Sequence, residues 1–347
     1  MNNNKIVVGL AVALPFLIFS GCTANSTVLG PSMAPQSVQK RSTPLAAATS
    51  SVPKSPSVWV AATTSVAEYS VGKTVPKMKI SIDSPDAMAT DISGNLYVAS
   101  YFGNSVTEYD GTSNPVRTIT DGITQPEAIA LDSSGNLYVA NQPVGAGSVN
   151  VYAPGTTSVL YTITEGVDSP NALAVDASGD LYVSSEGNGQ TGAAVTVYAA
   201  GSATLVDTIT NGIVFPIALA FDPSGNLNVA NLDGNSVTVY APGSGSPLRT
   251  ITSGMNGPRA LAFDTSGNLY VANYDGTSVT VYGAGSTNLL RTVPTGTVPD
   301  ALAIGPGGRL YVTNKNGVSV YAAGRTTLLY NIKVSKPEPA LVLAVPQ

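Results

Sequence analysis

The chain has 347 residues, with 16 Lys plus Arg against 21 Asp plus Glu, a net charge of −5, one cysteine and no histidine. So few basic residues, outnumbered by acids, argue against a phosphate-neutralising face and hence against a nucleic-acid partner. Without imidazole there is no Ser-His-Asp triad, His general base or His-held zinc, and one cysteine allows no intramolecular disulfide.

Residues 1–22 read MNNNKIVVGLAVALPFLIFSGC. Lys5 supplies a positive start, and the apolar run over 6–20 is too short to span a bilayer comfortably as a permanent helix. Small Ser20 and Gly21 then precede Cys22. This pattern resembles the bacterial lipoprotein signal, which implies cleavage after residue 21 and a lipid on Cys22. Phe19 departs from the usual aliphatic residue, and a plain secretory peptide is the alternative. Thr23 after the cysteine resembles the pattern sorted to the outer membrane of a two-membraned bacterium. The expectation is an exported chain, lipid-anchored to the cell envelope, periplasmic or surface-exposed, touching the membrane through the lipid alone.

Residues 22–56 are rich in Ser, Thr, Ala and Pro, with Lys40, Arg41 and Lys54 as their only charges. Such a segment buries too little surface to offset its ordering entropy, so it is expected to be a disordered linker.

From residue 57 to 347 one unit recurs. Its first part runs from proline to aspartate in PDAMATD, PEAIALD, PNALAVD, PIALAFD and PRALAFD; a sixth copy, PDALAIG, has Gly305 in place of the Asp. SGNLYVAN, SVTVY and LRTIT follow, as in the copy that starts at Pro258. The turn glycines Gly94, Gly135, Gly179, Gly225, Gly267 and Gly308 are 41, 44, 46, 42 and 41 residues apart. Each part is a β-branched run bounded by Gly, Pro, Asn, Asp or Ser, hence four antiparallel strands per unit and no helix. A period near 42 with four strands predicts an all-β chain, a β-propeller of four-stranded blades.

The third strand ends in tyrosine seven times (Tyr69, Tyr109, Tyr152, Tyr198, Tyr240, Tyr282 and Tyr321), but first strands number only six between Pro85 and Gly305. The seventh is expected over 339–345, PALVLAV, so that strands from the two ends share one blade and leave no open edge. Seven blades follow; six or eight is the alternative. The tyrosines read as core or inter-blade packing. In each Asp-x-Ser-Gly-Asn turn, one Asp caps backbone N–H groups and glycine supplies positive φ, which is too few oxygens for calcium.

GNLYVAN and the YVTN of residues 311–314 resemble the NHL-repeat and YVTN-type propellers, and more distantly the gluconolactonase/senescence-marker superfamily. NHL repeats commonly carry Asp where this chain has Ser100, Asn141, Ser185, Asn231, Asn273 and Asn314. The lyases among their relatives depend on histidines that are absent here, so their activities do not transfer.

In a propeller, the loops from fourth strand to first and from second to third share the channel-mouth face. The residues after the first-strand prolines should lie there: Asp86, Glu127, Asn171, Ile217, Arg259 and Asp300. Asp86, Glu127, Asn171 and Asp300 are candidate ligands for calcium or another divalent cation, in the manner of gluconolactonase-type propellers. The alternative is a ring of solvated entrance residues, and Arg259 opposes a metal. The longer second-to-third loops, 142–147 and 186–193, are further places for a ligand. No catalytic set is recognisable and no cofactor is required. The expectation is a monomeric binding or scaffold module for a protein, peptide or glycan; the alternative is a metal-dependent hydrolase or lactonase using the channel-mouth carboxylates.

Overall fold

The computed structural model describes residues 57–143, 147–187, 192–334 and 343–344. The leader over 1–21, Cys22 and the linker over 22–56 lie outside the described residues, as do parts of the two longer loops.

Runs of Val, Ala, Thr and Tyr fit a pleated, well-buried surface, and the Gly- and Asp-containing turns end them. The result is seven four-stranded antiparallel sheets. Blade six is representative: Pro258–Phe263, Leu269–Asn273, Ser278–Tyr282 and Leu289–Pro294 pair in sequence order. Its second strand is buried throughout, whereas its fourth is mostly exposed at the outer edge.

Seven apolar clusters join the blades, and each is shared by two neighbours. Blade one packs Trp59 and Ala61 against Met88 and Leu96 of blade two. It also packs Val58, Val60 and Tyr69 against Ala303 and Tyr311 of blade seven. The ring is therefore closed, with seven blades as the repeat predicts.

Closure comes from the two ends of the chain. Leu343–Ala344 pairs antiparallel with Ser57–Ala62 and is the first strand of blade one. The register refines the expectation. If Pro339 is aligned with the other first-strand prolines, Leu343 falls opposite Trp59; instead Ala344 does, with Leu343 opposite Val60. In the six other blades the corresponding position is Ala89, Ala130, Ala174, Ala220, Ala262 or Ala303. The observed register keeps alanine there in every blade.

The third-strand tyrosines are ties as well as packing. Tyr152 Oη donates to Asp121 O at 2.5 Å, Tyr240 to Asn211 O at 2.6 Å and Tyr282 to Ser253 O at 2.6 Å. Tyr198 does the same to Glu165 O. Each acceptor lies in the connection from the preceding blade, so one side chain both fills an interface and satisfies a turn carbonyl.

The turn aspartates cap as expected. Asp264 Oδ1 accepts from Ser266 N at 2.9 Å and Asn268 N at 3.0 Å, while Gly267 sits at φ 79°. Blade seven departs: a Cβ on Gly305 would lie 2.4 Å from Tyr311 Cε2. There the chain turns through a 3-10 segment, Pro306–Gly308, the one helical element among the described residues and one that the repeat pattern did not predict.

Candidate functional site at the channel mouth

The pairing of first and second strands breaks register after the proline in blades two to six, between Pro85 and Ala87 and at the four corresponding places. In blade seven the break lies between Pro299 and Leu302. Asp86, Glu127, Asn171, Ile217, Arg259 and Asp300 fall inside these breaks. A bulge of this kind re-aims a side chain while the strands on either side stay paired. Serine or threonine on the second strand satisfies the opened backbone in two copies. Thr313 Oγ1 accepts from Ala301 N at 2.7 Å, and Ser184 Oγ accepts from Ala172 N at 3.0 Å.

The residue before the proline lies in the left-handed region at Ser84, Gln125, Ser169 and Phe215, with φ between 45° and 52°. That conformation is strained for a residue with a side chain, and strain of this kind persists only where the surroundings impose it. Here the carbonyls of these residues are held by the second-to-third loops. Tyr101 N donates to Ser84 O, Gln142 N to Gln125 O, Glu186 N to Ser169 O and Leu232 N to Phe215 O, and in blade six Tyr274 N donates to O of Gly257, the residue before Pro258. Both kinds of loop therefore share one face, as expected. Asn141, Asn231 and Asn273 brace it from beneath: their Oδ1 atoms accept from Thr124, Val214 and Asn256 N at 2.9–3.0 Å. The positions at which NHL repeats carry Asp thus hold loops in place here.

The ring is buried rather than solvated. Glu127, Asn171, Ile217, Arg259 and Asp300 are each at most 5% exposed, and Asp86 is half-buried. Arg259 Nε stands 2.9 Å from Asp300 Oδ1, an ion pair without the alignment of a directed hydrogen bond. The Arg259 guanidinium also lies over the Tyr274 ring, 4.3 Å from its centroid. Burial pushes Asp86 up to about 7; the charge of Arg259 opposes the rise and that of Asp300 adds to it. Burial likewise pushes Asp300 up to about 6, again against Arg259. Asn171 has a different role: it accepts from Gln142 Nε2 at 3.3 Å and donates to Pro216 O at 3.2 Å. Glu127 and Asp86 both raise the Tyr101 hydroxyl, whose first cause is burial. Among the described residues, no group of three or more His, Cys, Asp or Glu gathers to hold a metal ion.

The sequence reading touched a second variable ring only at Gln142 and Glu186, which open the two longer loops. Tyr101, Gln142, Glu186, Leu232, Tyr274 and Lys315 each follow the last residue of a second strand. Its signal was available, since these positions also differ between copies that otherwise repeat. A cavity of about 400 Å³ opens where the two rings meet between blades six and seven, lined by Tyr274, Asp275, Val298, Asp300 and Lys315. It adjoins the short loops YDGT and KN rather than the longer ones singled out from the sequence.

No family model matches the chain. No curated protein matches it either. Among solved structures, a chain of the hydrazine synthase of Kuenenia stuttgartiensis superposes with a TM-score of 0.64, over 75% of this chain and 90% of that one. The chain is a β-propeller. Identity to that structure is 19%, so the likeness extends to the fold alone. Matches to the propeller extend over 1190 solved chains, and a fold so widely shared fits a binding or scaffold module without specifying a ligand.

Proposed function

We propose that this propeller is a binding module of the cell envelope, held there by a lipid on Cys22 and engaging its ligand at the channel mouth. The observation that carries the reading is the contrast between copies. Turns, tyrosines and strand cores repeat, whereas the two rings at the channel mouth vary between blades, and the first of them brings charge into a buried setting. Packing alone does not call for a buried arginine and three acids on one ring, because unpaired burial of charge is costly. The resemblance of GNLYVAN and YVTN to the NHL-repeat and YVTN-type propellers fits the same reading.

Two measurements test it. Fatty-acid labelling and membrane fractionation should find the parent chain labelled and membrane-bound, and Cys22→Ser unlabelled and released; unchanged fractionation would remove the anchor from the reading. A pull-down from envelope extract should retain a partner that is lost when Tyr101, Glu127, Arg259 and Tyr274 are replaced by alanine. Equal capture by the two forms would place any binding elsewhere.

A further inference from the structure

The cavity between blades six and seven has a buried floor and an exposed rim. Asp300, 2% exposed, forms the floor, and Asp275, Lys315 and Val298 are exposed at the rim, with Tyr274 as a wall. Asp300 Oδ1 faces Arg259, but Oδ2 is buried and accepts no hydrogen bond. A buried carboxylate oxygen without a donor carries a full desolvation cost, which a ligand's N–H would relieve.

We propose that this cavity takes a primary ammonium group, as carried by an alkylamine or a lysine side chain. The inference rests on the channel mouth being the binding face and names the chemistry that it selects. Charge is the first reason. Among the described residues, the groups around Asp300 are Arg259, Lys315, Asp86, Asp275 and Tyr274, so three carboxylates meet two cations. One added positive charge balances the set. Shape is the second reason. Arg259 already covers a face of Tyr274 and engages Oδ1, leaving one oxygen for a compact donor rather than for a second planar fork. Val298, 42% exposed, offers apolar contact to a methylene stem, and Asp275 gives a second acceptor at the rim.

Calorimetry on the full chain with n-butylammonium chloride and with N-acetyl-lysine methylamide tests this, with methyl glucoside as the neutral control. Saturable amine binding is expected at pH 8 and should weaken about tenfold at pH 5, where Asp300 and Asp86 take up protons and the negative charge is lost. Preference for the lysine derivative assigns the site to a lysine-bearing chain, and equal affinity assigns it to free amines. Asp300→Asn should lose at least tenfold, and Val298→Trp should do the same by filling the cavity from its exposed rim. If Asp300→Asn does not fold, Val298→Trp decides. Absent amine binding at pH 8, tighter binding of the glucoside, or undiminished affinity in the folded variants would overturn the assignment. A partner captured equally by parent and Val298→Trp would leave the binding module standing and sink this site alone.

Discussion

Arg259 and Asp300 form an ion pair across a blade boundary, nitrogen to oxygen at 2.9 Å, with both side chains almost wholly buried. Each residue is the bulged position of its own first strand, in blades six and seven. A pair so placed couples two blades electrostatically where they meet the channel, and Asp86 of blade two feels both charges.

Replacing Arg259 with Met removes the one cation on the first ring and leaves its carboxylates uncompensated. Breaking a buried pair from one side costs about 3–5 kcal/mol. Urea unfolding should show that loss at pH 8 and a smaller one at pH 5, where the carboxyls protonate. Equal losses at both pH values would mean that the guanidinium contributes packing and not charge.

Folding raises Asp86 from 3.8 to about 7 and Asp300 from 3.8 to about 6. A carboxyl raised on folding binds its proton more tightly in the folded state. Its stabilising contribution is therefore full below about pH 4 and is lost as pH rises through 6 to 7. For Asp86 the ceiling is about 4 kcal/mol, reduced by its partial exposure. Asp86→Asn should flatten the fall in unfolding free energy between pH 5 and pH 8. A variant whose pH profile parallels the parent's would remove Asp86 as its source.

Gly305→Asp would restore the residue that the other five copies carry, yet it should destabilise. The new Cβ would meet Tyr311 Cε2 at 2.4 Å, and overpacking of this kind costs about 1–3 kcal/mol. Gly305→Ala should cost a similar amount. Calorimetric melting midpoints at or above the parent's would show that Tyr311 moves aside freely.

Deleting residues 335–347 removes the strand paired with Ser57–Ala62 and reopens an edge beside Trp59, which is 2% exposed and the only tryptophan. Exposure of that ring alone should cost about 2–3 kcal/mol. Tryptophan emission should shift to the red before the global transition. An unshifted spectrum would mean that blade one is closed without its C-terminal strand.

The repeat count, the four-strand unit and the exchange between termini were all legible in the sequence, because turns and strands are local. A Pro, an Asp and a Gly at fixed offsets need the same backbone in every copy, and a missing first strand can be counted. The candidate ring was legible too, as the position that varies after each proline. Its environment was not. Whether Asp86, Arg259 and Asp300 are solvated or buried depends on how seven sheets converge, and burial turned expected entrance residues into a coupled ion pair with raised carboxyls. Tyr274 and Lys315 join that site only because loops from neighbouring blades meet there, and Ala344 rather than Leu343 falls opposite Trp59 only once the ring closes. Local chemistry set the blade; the charge balance of the channel mouth arises from side chains far apart in the chain, which only the closed ring brings within reach of one another.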